Sequence, residues 1–180
     1  MIHLITGGSG SGKSEYAENV LCGCKNDPAQ QLIYIATMYP YDDEAKEKIR
    51  RHRQMRSRKG FETIECYMGL GSLAETLKRR GTVLVLLECI SNLVSNELYR
   101  DGKIQEGAAD KVLRGVKAVG EVSKDMVIVT NEVNSEGLLC SPEMVRYKQT
   151  LGEVNCRLAG MADRVTEVVY NIAWEVKERV

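Results

Sequence analysis

Residues 1–14 read MIHLITGGSGSGKS, an apolar run at Ile2–Ile5 feeding a glycine-rich loop that ends in Gly12-Lys13-Ser14. From Gly7 the loop matches G-x-x-x-x-G-K-[ST] without a gap, the pattern of a phosphate-binding loop set between a strand and a helix. Each residue type has a physical task there. Glycine reaches φ > 0 and lets successive backbone N–H groups curl around phosphate oxygens, so Gly7, Gly8, Ser9, Gly10, Ser11 and Gly12 read as a nucleotide cradle. Lys13 brings a point charge to the β/γ-phosphates, and the Ser14 hydroxyl suits a Mg2+ ligand. Glu15–Leu21 reads as the following helix, whose N-terminal dipole adds to anion binding. The bland alternative is a plain glycine-rich turn. A strand before the loop and a helix after it argue against that.

Working outward, short apolar runs alternate with helical stretches. Leu32–Ala36, Thr82–Leu87 and Met126–Thr130 read as buried strands, and Phe61–Tyr67 as a strand of imperfect alternation. Ser72-Leu73-Ala74-Glu75 has the form of a capping box, opening a helix that stops at Gly81. Ser91–Arg100 is expected to be helical, and Glu106–Ser123 a helix weakened by Gly115 and Gly120. Asn134–Cys140 is expected as a loop. Ser141-Pro142 then starts an amphipathic helix carrying Met144, Tyr147, Leu151, Val154, Leu158 and Met161 at steps of three and four. Arg164–Val169 and Ala173–Lys177 complete the chain as strands. Such alternation implies βαβ units in an α/β fold, a mainly parallel sheet with helices on both faces. Without a linker or repeat, residues 1–180 are expected to form a single P-loop nucleotide-binding catalytic domain.

The chain has 180 residues, 43% hydrophobic and 28% charged, with 25 Lys+Arg against 25 Asp+Glu. A neutral total gives no general attraction to nucleic acid or an anionic membrane. No apolar run approaches the roughly 20 residues of a membrane span, and the phosphate loop begins where a secretory signal would stand. A cytoplasmic location is the expectation. Six cysteines without a C-x-x-C pair read as reduced packing residues rather than a zinc site.

Chemistry in an open α/β sheet gathers at the carboxyl ends of strands, here Gly7 onward, Thr37, Glu88 and Asn131-Glu132. Glu88 stands where a P-loop protein often places the acid that positions Mg2+ or its water, or it merely caps the next helix. Asp42 to about Arg58 reads as a charged helix with only Ala45, Ile49 and Met55 apolar, so it is expected to lie over the surface as a lid. It carries His52, one of two histidines, among Arg50, Arg51, Arg53, Arg56, Arg58 and Lys59. A solvated basic helix end explains that cluster equally well. The chemical reading puts His52 and Arg56 on one face. A neutral imidazole is a nucleophile toward phosphorus, nearby cations disfavour its protonated form, and arginines neutralise phosphoryl charge.

Taken together these residues resemble the bifunctional adenosylcobinamide kinase / adenosylcobinamide-phosphate guanylyltransferase family of cobalamin biosynthesis. The matching set runs through Ile5–Gly8, Ser11–Ser14, Tyr34–Thr37, Asp43-Glu44, Ile49…His52…Arg56 and Thr63-Ile64-Glu65. It continues through Leu86–Ile90, Asn96, Thr130–Val133 and Gly152…Val154-Asn155…Leu158-Ala159…Ala162-Asp163. The resemblance implies a RecA-like P-loop fold assembled as a homotrimer, with Mg2+ and with GTP or ATP as substrates. It implies phosphorylation of adenosylcobinamide, then GMP transfer from GTP to that corrinoid phosphate through a guanylyl-histidine at His52, with Lys13 catalytic in the loop. Thr37, Arg53, Arg56, Glu65 and Glu88 would line the nucleotide site, Glu65 and Glu88 as candidates for base or ribose recognition. Gly10 stands where the family's loop often has Arg, Gln149 where an acid is frequent, and Asn171-Ile172-Ala173 in place of Gly-Ile-Pro. The last two departures are expected to touch packing or corrinoid contacts. Two other readings remain open from the residues alone: a P-loop kinase of another small hydroxyl substrate, and a nucleotide-dependent switch whose basic helix docks a partner.

Overall fold

A computed structural model describes residues 1–133 and 141–178, the Met55 side chain left aside; the loop expected at Asn134–Cys140 lies outside the described residues. The strands are β1 (Ile2–Thr6), β2 (Gln31–Ala36), β3 (Phe61–Glu65), β4 (Val83–Glu88), β5 (Asp125–Val129), β6 (Arg164–Val169) and β7 (Ile172–Glu178). The helices are α1 (Lys13–Cys24), α2 (Asp43–Arg56), α3 (Leu73–Lys78), α4 (Ile90–Leu98), α5 (Ala108–Val122) and α6 (Pro142–Met161). All strands join one sheet in the order β3-β2-β4-β5-β1-β6-β7. Every pairing is parallel except the β6–β7 hairpin.

Uninterrupted apolar runs become strands here because both faces of the sheet are covered. In β4, Val83, Val85 and Leu87 point into one core with Leu77 of α3, Leu93 of α4, Val116 of α5 and Leu151 of α6. Leu84 and Leu86 point the other way, toward Ala17 and Leu21 of α1. β2 and β5 divide in the same manner: Ile33, Ile35, Met126 and Ile128 on the first face, Leu32, Tyr34, Val127 and Val129 on the second. The period-2 geometry of a strand requires this alternation. Met55 aside, no described residue of α2 belongs to either core, in line with the surface position expected from its composition. Its N-terminus is capped by Asp42, which accepts from the Ala45 N–H at 2.7 Å, and the pairs Lys46–Asp43 and Arg50–Glu47 lie along its own surface. The helix is held together by itself more than by the fold.

Three local expectations change. Ser72 makes no side-chain cap to α3, because Leu70–Ser72 is already wound as a 3-10 turn that supplies the backbone entry. α5 is not a weak helix: it runs 15 residues and buries Val112, Leu113, Val116 and Val119. Gly115 faces that 3-10 turn, where an added Cβ would lie 3.0 Å from Leu70 Cβ and 3.1 Å from Gly71 N, so its missing side chain is what lets the two elements touch. Met144 is exposed, so the buried stripe of α6 begins beyond it and is built on Leu151, Val154 and Leu158.

The β6–β7 hairpin bears directly on the phosphate loop. Tyr170 and Asn171 both take positive φ, 51° and 64°, which suits a two-residue type I′ connection. The Asn171 N–H donates to Ser11 O at 2.8 Å. A Cβ on Gly12 would fall 1.8 Å from Asn171 Oδ1, so the loop glycine at φ 91° makes room for the hairpin as well as for phosphate. The departure at Asn171 therefore touches packing of the loop itself.

His3 of β1 is fully buried, its Nε2 2.7 Å from Thr166 Oγ1 on the neighbouring strand β6. Burial, aided by the Arg164 charge, lowers its pKa to about 4. A folded-state value below the unfolded 6.5 means stability is full above pH 6.5 and declines as pH falls toward 4. Urea unfolding at pH 7 and pH 4.5 checks this: His3→Gln should lose less stability between the two than the parent. Gly115→Val should cost about 1–3 kcal/mol through overpacking against Leu70 and Gly71, read as a lower urea midpoint with unchanged slope.

Candidate active site

The carboxyl ends of β2, β4, β5 and β1 lie side by side in the sheet order, which is where ligands bind in open α/β sheets. They open into a cavity of about 810 Å3. Ser9, Gly10, Ser11, Gly12, Lys13 and Ser14 form its floor; Glu88 and Asn131 rise from neighbouring strand ends, and His52 and Arg56 close over it from α2. Gly12 is the N-cap of α1 and offers no capping side chain, so the first-turn N–H groups of α1 are free for an anion. Lys13 reaches back to donate from Nζ to Gly8 O at 2.8 Å. Burial lowers its pKa, against the opposing pull of Cys89 and Glu88. The loop is thus poised by its own contacts before any ligand arrives.

Glu88 is the meeting point. Its Oε1 accepts from the Ser14 hydroxyl, and its Oε2 accepts from the Tyr34 hydroxyl at 2.8 Å. His52 Nδ1 lies 3.8 Å from Oε1, with the imidazole about one-fifth exposed and the carboxylate 9% exposed. Burial lowers the His52 pKa first; Glu88 raises it, while Lys48, Arg56 and Arg51 lower it further. The neutral imidazole expected from the surrounding cations is therefore favoured, with desolvation the larger cause. Arg56 is buried and its guanidinium sits 3.6 Å from the centroid of the Tyr34 ring.

Not every expected residue reaches the cavity. Thr37 is fully buried; its hydroxyl donates to Cys89 O and accepts from Cys89 N, both at 2.8 Å. It clasps the ends of β2 and β4 and so fixes the backbone that carries Glu88. Arg53 ion-pairs with Glu65 on the outer side of α2, and the Tyr67 hydroxyl donates to Glu65 at 2.7 Å. Neither Arg53 nor Glu65 lines the cavity. Gly7 and Gly8 do not line the cavity either; Gly7 faces the Val168 carbonyl, and Gly8 O accepts from Lys13.

The sequence matches the profile of the family described as cobinamide kinase / cobinamide phosphate guanyltransferase over residues 3–176. The chain belongs to that family. It is 32% identical to the bifunctional adenosylcobalamin biosynthesis protein CobU of Salmonella typhimurium, over 98% of this chain and all of the relative. The CobU protein of Escherichia coli K12 gives the same identity and coverage. Among solved structures, the flagellar accessory protein FlaH of Methanocaldococcus jannaschii aligns with TM-score 0.54 at 14% identity, over 99% of this chain and 78% of that one. The ATPase domain of G40P aligns with TM-score 0.54 at 10% identity, over 92% of this chain and 68% of that one. At such identities these two speak for the fold alone, which is RecA-like. The chain is accordingly an enzyme of the kinase and guanylyltransferase class of cobalamin biosynthesis.

For a member of this family, the residue that motif reading passes over is Tyr34. It sits in an aliphatic strand and looks like core. The signal was available: a tyrosine buried in a parallel strand must find a partner for its hydroxyl, and the partner is the acid two strand positions ahead on β4, since Tyr34 pairs with Leu86. Asn131 was visible as a polar strand end, and the structure brings it into the cavity. Among the described residues no group of three His, Cys, Asp or Glu could hold a metal unaided, Cys22, Cys24, Cys66, Cys89 and Cys156 are free, and no helix is long and apolar enough to cross a membrane. Lys13→Met is expected to weaken GTP binding at least about tenfold, the loss of one charge-assisted contact, while its thermal midpoint stays near that of the parent; equilibrium titration with a fluorescent GTP analogue measures it.

Proposed function

We propose that this enzyme phosphorylates adenosylcobinamide and then transfers GMP from GTP to adenosylcobinamide-phosphate, giving adenosylcobinamide-GDP through a guanylyl-His52 intermediate. The observation that carries this reading is the position of His52: a near-neutral imidazole in the same cavity as the phosphate loop. In the phosphoryl step the substrate hydroxyl oxygen gives up its proton to water and bonds to the γ-phosphorus, the bond to the β-phosphate oxygen breaks, and a nucleoside diphosphate leaves. Lys13 and the loop N–H groups hold the phosphate oxygens throughout.

In the guanylyl step a ring nitrogen of His52 bonds to the α-phosphorus of GTP and pyrophosphate leaves. With Nδ1 turned toward Glu88, Nε2 is the nitrogen left for phosphorus. A phosphate oxygen of adenosylcobinamide-phosphate then displaces the imidazole, forming the new diphosphate and returning the free histidine. Arg56, buried one turn away, supplies fixed positive charge as the phosphorus becomes five-coordinate.

The adjoining Ser14 hydroxyl and Glu88 carboxylate are hard oxygen donors of the kind Mg2+ takes, the remaining ligands coming from phosphate and water. Bound there, Mg2+ would neutralise phosphate charge. This favours the cation-positioning role for Glu88 over base or ribose recognition. Residues 1–180 act as a single catalytic domain in this reading. A homotrimer fits the uncovered edge strand β7, where Ile172, Trp174 and Val176 are exposed and an unpaired apolar edge invites cover.

Incubation with α-labelled GTP and Mg2+, followed by denaturation, tests the intermediate. Acid-labile, alkali-stable label on the parent and none on His52→Ala is the expected result. No label on folded protein that still consumes γ-phosphate with an alcohol acceptor would reduce the enzyme to a kinase.

A further inference from the structure

Tyr34 touches both halves of the cavity at once. Its hydroxyl donates to Glu88 Oε2 at 2.8 Å, and the other oxygen of that carboxylate holds Ser14. The face of its ring carries the Arg56 guanidinium at 3.6 Å, and Arg56 lies one helical turn beyond His52. The ring is buried, 3% exposed, and it also meets Phe61 edge-on with centroids 6.2 Å apart. A purely structural role would be met by phenylalanine, which packs the same ring without a hydroxyl. Burying the hydroxyl costs desolvation unless it is bonded, and here the bond is to the acid beside the phosphate loop.

From these contacts the geometry points to Tyr34 as a positioning residue that couples the two reactions: the hydroxyl aims Glu88 at Ser14 and the ring seats α2 through Arg56. The inference rests on the function proposed above for its activity readouts, and on neither reaction for its structural one. The two roles reside in different atoms, so they can be separated. Tyr34→Phe deletes the hydroxyl and keeps the ring; Tyr34→Leu deletes both.

Three measurements on the full chain decide it. In limited trypsin digestion without nucleotide, cleavage after Arg50 or Arg51 reports how often α2 leaves its seat and unwinds. Tyr34→Leu should speed it roughly 3- to 30-fold, the range a cation–π contact accounts for, and Tyr34→Phe should leave it at the parental rate. Titration of Mg2+ against γ-phosphate transfer should show the half-saturating concentration raised on the order of tenfold in Tyr34→Phe, from the lost bond to the carboxylate. His52 labelling should recover in Tyr34→Phe at saturating Mg2+ but stay depressed in Tyr34→Leu. If Tyr34→Leu fails to fold, Arg56→Met removes the other partner and should accelerate trypsin cleavage to the same degree. Equal behaviour of the Phe and Leu variants in all three measurements would overturn the proposal, as would a parental Mg2+ midpoint in Tyr34→Phe. Should the parent take no label, the guanylyl reading falls, while the trypsin and Mg2+ results still judge Tyr34.

Discussion

A carboxylate placed beside a loop built to attract anions is the constraint around which this molecule is arranged. The first turn of α1, the glycine backbone and Lys13 all favour negative charge, and Glu88 stands 9% exposed in the same cavity. Its carboxylate is oriented by the Ser14 and Tyr34 hydroxyls, and its backbone is held by the Thr37 clasp. A triphosphate entering the loop would meet the carboxylate head-on. A divalent cation between them turns repulsion into a shared contact, which is the physical reason to expect Mg2+ at Ser14 and Glu88. His52 belongs to the same centre: its Nδ1 lies 3.8 Å from the carboxylate, and burial lowers its pKa while Glu88 opposes that shift.

Much of this was legible in the chain because its causes are local. The phosphate loop is a contiguous motif, and β2, β4 and β5 announce themselves as unbroken apolar runs because both faces are covered. The detached position of α2 followed from its want of apolar residues. What stayed hidden depends on contacts far apart in sequence. Nothing near Gly115 says that Leu70 will lie against it, so propensity made it a defect when it is a point of close approach. Thr37 sits in the family's matching stretch, and only the pairing of β2 with β4 turns its side chain away from the cavity and onto Cys89. Arg53 and Arg56 look interchangeable in the basic cluster, but the turn of the helix sends one outward to Glu65 and the other inward onto Tyr34. His52 itself was singled out by its rarity and by family resemblance together; periodicity alone left it on a solvated face.

The floor of the site is braced from a direction the motif does not hint at. The hairpin turn at Tyr170-Asn171 presses on Gly12 and accepts no substitute there, since any Cβ at Gly12 meets Asn171. The Asn171 N–H also occupies the Ser11 carbonyl, leaving the N–H side of the loop turned toward the cavity. On the far side of the same hairpin, Lys177 donates to the Ala159 and Ala162 carbonyls at 2.8 and 2.7 Å and caps the C-terminus of α6. A loop rich in glycine carries a high entropic cost of order. Bracing by a two-stranded hairpin, itself stapled to α6, offsets part of that cost in advance of binding.

The looseness of α2 then follows from what the two reactions demand of one cavity. The function proposed above asks two things of that space: room for a large alcohol at the γ-phosphorus in one step, and an imidazole at the α-phosphorus in the other. A helix sunk into the core would hold His52 in one place. α2 instead carries its own stabilising pairs and cap, so its helical form does not depend on burial in the core. Its inward contacts concentrate at the C-terminal end, Arg56 on Tyr34 and the following Lys59 on Glu18 at 2.8 Å. The Glu18 carboxylate is 2% exposed, so this ion pair is no mere surface contact, and with the Arg56–Tyr34 stack it fixes where the C-terminal end of α2 sits. The helix is thus anchored to the fold chiefly about its last turn. His52 lies one turn before that anchor, so the seating of Arg56 and Lys59 sets where its ring stands relative to Glu88 and the loop.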